Sequence, residues 1–406
     1  MTSTDVKKTL DATTVAVTGN EAVAEAMRQI DPDVVCAYPI TPQTEVVQLY
    51  AQMVADGKVT GEFVTVESEH SAMSAAIGSA AGGARTMTAT SSQGFALMWE
   101  VLYVAASYRL PLVMTTVNRA LSGPINIHCD HSDTMGGRDT GWVQLYGEDH
   151  QEAYDNCIQA VRIGEHPDVR LPVMHMYDGY VISGAIGPLR MLPDEQVQAF
   201  IGPYRAVNPL LDTRHPVTVG PFDGLHGFYF EHKVAQNRAM DRALKVIQDV
   251  ADEYAEVSGR RYGLLDPYRV DDAEIAIVVV GSTAGTTRMV VDKLRARGVK
   301  AGMIRVRAFR PFPHQAYAEA LQQVKVVGVL DRADSFGAQG GPVFLEVRAA
   351  LYDCDPRPQV LPFIYGLGGR DIFPDNIEQA FAVLQKAARS KKRASIERRY
   401  LNLRED

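Results

Sequence analysis

Short apolar runs alternate with amphipathic stretches of ten or more residues along most of the chain, and no other feature restricts the fold as much. From Thr14 to about Ser183, "DVVCAY", "GEFVTVE", "RTMTAT", "LPLVMTTV" and "LPVMHMYDG" read as strands. Between them, "TPQTEVVQLYAQMVADG", "SEHSAMSAAIGSAAGGA", "GFALMWEVLYVAASYR" and "DHQEAYDNCIQAVRIGEHP" read as helices. Strands buried on both faces, joined by helical crossovers, predict an open parallel sheet covered by helices. The pattern lapses between about Ala185 and Val270, where prolines at 188, 193, 203, 209, 216 and 221 mark an irregular connection with one helix, roughly Glu231 to Ser258. A connection that long is functional or lies against a partner. The alternation then resumes from "AEIAIVVVG" to "DNIEQAFAVLQKAARS" as a second, smaller α/β unit. The predicted organisation is therefore a domain over 1–185, a connection over 186–270, a domain over 271–391 and a charged tail over 392–406, the tail being either a solvated end or a docking segment.

A hydrophobic content of 46% gives ample core for two such units. The net charge of −8 argues against a nucleic-acid binder, which would present a basic face. Runs such as "IAIVVV" are too short to cross a bilayer, and the start "MTSTDVKKTLDATT" lacks the apolar core of a secretion signal. Cys36, Cys129, Cys157 and Cys354 are scattered, with no C-x-x-C pair, so neither a disulfide framework nor a cluster-ligand set is present. The expectation is a cytoplasmic protein with reduced thiols.

Candidate chemistry gathers where strands end, since ligands of open α/β sheets sit beyond the carboxyl ends of the strands. In "CAYPITPQTE", two prolines flank a stiff loop, and Thr41 before Pro42 reads either as a helix N-cap or as a hydroxyl that donates to a ligand. "VESEHSAMSAAIGSAAGGA" sets Glu67 and Glu69 at a strand-to-helix turn ahead of a helix of small residues. These acids serve either a ligand or the helix dipole. Arg119, after "TTVN", either clamps a carboxylate or joins a structural ion pair. His128, Cys129, Asp130, His131 and Asp133 cluster in sequence, but no second ligand pair follows at zinc-site spacing, so no metal is assigned. Dinucleotide and P-loop glycine patterns are absent, and "FGAQGGP" and "YGLGGRD" are weak phosphate signals.

Taken together, "AYPITPQTE", "FVTVESEHSAMSAAIGSAAGGARTMTATSSQGFALMWE", "NRALSGPINIHCDHSD" and "GWVQLYGEDHQEAYD" closely resemble the α subunit of the 2-oxoacid:ferredoxin oxidoreductases, most nearly multi-subunit pyruvate:ferredoxin oxidoreductase. The resemblance implies a pyrimidine-type thiamine-diphosphate-binding parallel-sheet domain followed by a transketolase C-terminal-like α/β domain. It implies oxidative decarboxylation of a 2-oxoacid, pyruvate first, to an acyl-CoA. Electrons would pass to [4Fe-4S] clusters and then to ferredoxin or another acceptor. Partner β, γ and ferredoxin-like δ subunits would supply Mg2+, the clusters and the coenzyme A site. This chain has no G-D-G followed by the asparagine of a magnesium-diphosphate motif, so the β subunit would complete the thiamine site. By the same resemblance Glu69 meets N1′ of the aminopyrimidine, and a carboxyl there favours the tautomer whose 4′-nitrogen takes the C2 proton. Arg119 would hold the substrate carboxylate with Thr41 beside it, while Pro39, Ile40, Ser92 and Gln93 line the cofactor ring. The histidine–aspartate loop would wall the substrate site.

One departure stands out. The family pattern has alanine where this chain has Gly123, in "RALSGPIN". The lost methyl raises a bulkier substrate, such as phenylglyoxylate, or oxalate, as the alternative to pyruvate. Two further readings compete: a non-catalytic docking subunit, and a self-sufficient transketolase-like enzyme, against which the missing magnesium motif counts.

Overall fold

The computed structural model describes residues 13–404 apart from 221. The opening stretch before Thr13, Pro221 of the connection and the last two residues of the expected tail lie outside the described residues. In chain order the strands are β1 (Thr13–Thr18), β2 (Val34–Ala37), β3 (Glu62–Thr65), β4 (Thr86–Thr90), β5 (Val113–Asn118), β6 (Val143–Tyr146), β7 (Val173–Asp178), β8 (Ile186–Met191), β9 (Leu265–Tyr268), β10 (Ile275–Val280), β11 (Ala301–Val306), β12 (Ala308–Arg310), β13 (Val326–Asp331), β14 (Gln359–Ile364) and β15 (Arg399–Tyr400). A seven-stranded sheet runs β12-β6-β7-β5-β4-β2-β3, and a six-stranded sheet runs β15-β14-β13-β10-β11-β9. Each is parallel except at one edge, where β12 lies antiparallel to β6 and β9 to β11.

Every position of β4, β5, β7 and β10 is buried, which is why these segments read as unbroken apolar or threonine-rich runs. One core packs the helices Gly19–Ile30, His150–Glu165 and Tyr229–Ser258 against the first sheet. A second core joins the two units, with Met114, Tyr146 and Met174 of the first meeting Phe309, Phe312 and Tyr317 of the second. Charge crosses the same boundary. Arg305, only 3% exposed, reaches Glu148 at 2.9 Å and Glu152 at 2.8 Å. Arg288 contacts Glu148 at 2.5 Å and Asp266 at 2.9 Å.

The segment 186–270 departs from the expected irregular connection with one helix. It contains β8, which pairs with β1 as a two-stranded antiparallel ribbon. It also contains the helix Asp194–Ile201 and the 30-residue helix Tyr229–Ser258, followed by β9. The shorter helix buries only Val197, Phe200 and Ile201, too few positions to establish a period. β8 is recognisable only through a partner at the far end of the domain. Among the described residues no helix is long and apolar enough to cross a membrane.

Within β7, His175 is fully buried, with Nε2 2.7 Å from the Thr115 hydroxyl. Burial pulls its imidazole down to about 3. Because the folded value lies below the ordinary one, the unfolded chain binds the extra proton, and stability falls as pH drops from about 6.5 toward 3. The His175→Gln protein should therefore lose less of its thermal midpoint between pH 6.5 and pH 5 than the parent does, as read by differential scanning fluorimetry.

Candidate active site

Loops leaving the carboxyl ends of β2, β4, β5 and β7 meet on one edge of the first sheet. The loop after β2 is held by its own glutamine. Gln43 N–H donates to the Ile40 carbonyl at 2.8 Å, and Gln43 Oε1 accepts from Ile40 N–H at 3.2 Å. Asn20 Nδ2 donates to the Pro42 carbonyl at 2.9 Å, itself fixed by the Tyr177 hydroxyl at 2.8 Å. Pro39 and Thr41 are exposed, while Ile40 is half-buried.

Thr41 does not cap the helix. The helix is Thr44–Ala55 with Gln43 at its N-cap and no side-chain cap bond, so Pro42 lies before it rather than in its first turn. The ring of Pro42 keeps Thr41 out of the helical region, and the Ile40–Gln43 turn uses the intervening residues. Thr41 instead offers its carbonyl to Arg119 Nη1 at 2.9 Å, and among the described residues no hydrogen bond engages its hydroxyl.

Glu67 and Glu69 separate cleanly. Glu67 is exposed and accepts from the Ser71 hydroxyl at 2.6 Å. Glu69 opens the helix Glu69–Gly82, whose N-cap Ser68 accepts from Ser71 N–H, and is 8% exposed. Its carboxyl packs against Gly94, where an added Cβ would stand 2.7 Å from Glu69 Oε1 and 2.5 Å from Thr90 Oγ1. Only glycine leaves room for that carboxyl. No hydrogen bond engages it among the described residues, and the buried hydroxyls of Thr90 and Ser91 have no partner either. The unpartnered Thr90 and Ser91 hydroxyls and the Glu69 carboxyl thus all lie near the end of β4.

Asp133 ties the neighbouring loops together. It accepts from Ser92 N–H at 3.1 Å, Arg119 N–H at 3.0 Å, Asn118 Nδ2 at 2.8 Å and Thr134 N–H at 2.7 Å. Burial still pushes its carboxyl up to about 6, against those donors. Ser92 sits at φ +44° and is fully buried; its hydroxyl donates to the Ala120 carbonyl, while Gln93 bonds the Ser122 hydroxyl.

Arg119 is 5% exposed, yet its guanidinium meets only neutral oxygens, the carbonyls of Thr41 at 2.9 Å and Asn126 at 3.1 Å. Among the described residues Nη2 has no hydrogen bond and no carboxylate pairs with the guanidinium. A guanidinium so placed, with no counter-charge and an open donor edge, can accept an anion. Of the histidine–aspartate loop, His128 is exposed while Cys129, Asp130, His131 and Asp133 are buried.

Cys129, His131 and Asp178 place ligand-type atoms within 4.8 Å of one another. Asp178 is already saturated, however. His131 Nε2 lies 2.8 Å from Oδ1, and Oδ2 takes Arg332 Nη1 at 2.9 Å and the Ser282 hydroxyl at 2.6 Å. Arg332 already supplies the positive charge that the Asp178 carboxylate needs. Burial works against the Asp178 charge, but His131, Arg332 and Ser282 hold its carboxyl well below the usual range.

Nothing local in the sequence marks the roles of Asp133, Asp178 and Arg332, whose partners are distant in the chain. Only Gly94 carried a local signal, as the glycine that ends "SSQG".

Residues 25–252 match the family model described as pyruvate flavodoxin/ferredoxin oxidoreductase, thiamine diP-binding, and residues 273–377 match pyruvate:ferredoxin oxidoreductase core domain II. The chain is 55% identical over 391 residues to pyruvate synthase subunit PorA of Thermotoga maritima, covering 96% of this chain and 98% of that one. It is 41% identical to ketoisovalerate oxidoreductase subunit VorA of Pyrococcus abyssi, covering 93% and 94%. The solved 2-oxoglutarate:ferredoxin oxidoreductase of Magnetococcus marinus superposes with a TM-score of 0.68 at 21% identity, over 91% of this chain and 65% of that chain, a likeness of fold. The chain belongs to the pyruvate:ferredoxin oxidoreductase family, as an α subunit of a thiamine-diphosphate-dependent 2-oxoacid oxidoreductase.

Replacing Asp178 by asparagine removes the counter-charge of buried Arg332. The Asp178→Asn protein should be destabilised by about 3–5 kcal/mol, seen as a lowered urea midpoint.

Proposed function

We propose that this subunit, in the cytoplasm, joins a β subunit in the oxidative decarboxylation of pyruvate to acetyl-CoA, with γ and δ subunits carrying electrons through [4Fe-4S] clusters to ferredoxin or another acceptor. The observation that carries the reading is Arg119, a buried guanidinium with an open donor edge and no counter-charge, beside a free Thr41 hydroxyl. A substrate carboxylate satisfies it by paired charge-assisted hydrogen bonds. Pyruvate is favoured by the 55% identity to a pyruvate synthase subunit over nearly the whole of both chains.

Bound thiamine diphosphate supplies the nucleophilic carbon and the electron sink for loss of CO2. The residues here fit its aminopyrimidine: the unpaired Glu69 carboxyl is the partner its N1′ needs, and the small Gly94 admits it. Glu69 holds the proton at that nitrogen. Arg119 binds the substrate carboxylate and Thr41 donates its hydroxyl proton beside it. Pro39 and Ile40 line the ring from a loop held still by Gln43 and Asn20, and Gln93 joins them from the turn after β4, where fully buried Ser92 fixes the backbone through its bond to the Ala120 carbonyl. The β subunit brings diphosphate and Mg2+ contacts, and electrons leave through partners because this chain's four cysteines are dispersed, three of them buried.

In the assembled complex Glu69→Gln should lower turnover at least ~100-fold with subunit composition unchanged. Unchanged turnover would instead return the chain to a docking role.

The bulkier-substrate alternative finds no supporting contact. Gly123 lies at φ +122°, a conformation that favours glycine, and an added Cβ there meets nothing within 4 Å. The glycine permits that backbone angle and opens no packed space that a methyl would have filled. In kcat/KM the complex should prefer pyruvate over phenylglyoxylate by at least ~100-fold. Comparable rates would overturn the choice of pyruvate.

A further inference from the structure

The loop that follows Arg119 is poorly backed. Leu121 to Ile125 are exposed, and a cleft of about 730 Å³ separates this stretch from residues 333–336 of the second unit. Within its own unit the loop is tied by Leu121 N–H to the Ser132 hydroxyl at 3.0 Å, and by Ser122 to Gln93. The cleft closes at Gly368. Asn126 Nδ2 donates to the Gly368 carbonyl at 2.9 Å, and Gly368 N–H donates to Asp130 Oδ2 at 2.9 Å. One residue of the second unit is thus gripped by both its peptide groups. Asn126 Oδ1 also accepts from His128 N–H at 2.8 Å, and the backbone carbonyl of Asn126 takes Arg119 Nε at 3.1 Å.

The fit requires glycine. Gly368 has φ +61°, and a Cβ there would stand 2.5 Å from Asn126 Nδ2; one on Gly369 would stand 2.2 Å from His128 Cβ. The "YGLGGRD" turn is therefore no phosphate cradle. Its Gly368 N–H is taken by Asp130, and its Gly369 N–H by the Gly366 carbonyl at 3.1 Å.

We propose that Asn126 is a positioning residue that lets the second domain set the Arg119 guanidinium: the Gly368 turn fixes the Asn126 side chain, and the Asn126 carbonyl fixes Arg119. This rests on the reading that Arg119 binds the substrate carboxylate. The bond from Arg119 Nε to the Asn126 carbonyl orients the guanidinium plane, leaving Nη2 as the open donor. If the asparagine is released, the carbonyl shifts with the loop, and the donor edge loses its aim. The carboxylate carries its full charge when the substrate binds and gives it up as CO2 departs, so a poorly aimed guanidinium weakens binding without slowing that departure, and the loss falls on KM rather than on kcat.

In the holoenzyme Asn126→Ala should raise KM for pyruvate about tenfold with kcat within about twofold of wild type. KM for coenzyme A should stay unchanged. Asn126→Asp is nearly isosteric and keeps the acceptor for His128 N–H, but it sets a charged oxygen against the Gly368 carbonyl in place of the donor; it should raise KM for pyruvate as the alanine variant does. It also carries the test should the alanine variant fail to assemble. In an Arg119→Lys background the Asn126→Asp effect on KM should shrink to less than about twofold, because the two act through one contact. Asn126→Asp with wild-type KM, or an effect that persists undiminished in the Arg119→Lys background, overturns the proposal. Should Arg119→Lys alone leave KM for pyruvate unchanged, the carboxylate role of Arg119 falls instead. Should Arg119→Lys raise KM while neither Asn126 variant does, only the positioning role falls.

Discussion

Asp178 ends β7 with no exposure to solvent, and an ionised carboxylate in that position must be fully partnered. Its partners come from three places: His131 from the loop after β5, and Ser282 and Arg332 from the ends of β10 and β13 in the second unit. Gly281 leaves the space, since a Cβ there would stand 2.6 Å from Asp178 Oδ1. His131 N–H also donates to the Arg332 carbonyl at 2.8 Å, so arginine and histidine are bound to each other as well as to the aspartate. The carboxylate thereby makes the relative placement of the two sheets a condition of its own burial.

The candidate site depends on that placement. Arg119 and Asp130 lie on the segment that His131 anchors, and the Gly366–Gly369 turn follows β14, next to β13, whose end carries Arg332. Hydrogen bonds to Asp133 hold the ends of β4 and β5 in register, so Ser92 and Arg119 move together. Glu69 is outside this network. It is placed by its helix start and by the absence of a side chain at Gly94, and it keeps an unpaired carboxyl at the open edge.

What the sequence made legible follows from the range of the interactions involved. β4, β5, β7 and β10 announce themselves because burial on both faces leaves a local apolar signature. β6 mixes Gln144 into four residues and β12 has only three, so neither stands out as an apolar run. The helix Gly19–Ile30 carries a capping box, with Thr18 and Glu21 bonded reciprocally, that marks it locally although no long apolar run precedes it. Thr41 misled because a threonine before a proline has the local form of a cap, whereas the side chain that decides the turn is Gln43. Glu69 and Arg119 were identifiable through the long motifs around them. Asp178 was not, because its partner Arg332 is 154 positions away and nothing near "MYDGY" encodes it.

β12 gives the molecule a temporal constraint as well as a spatial one. This strand of the first sheet is supplied by Ala308–Arg310, beyond most of the second unit's own first strands. During synthesis β6 must therefore wait as an open edge until that segment emerges from the ribosome, with an unpaired row of peptide groups that other chains can add to. Shearing the gene between the two units would leave that edge permanently bare. The two units are thus separate in architecture but a single unit of biogenesis.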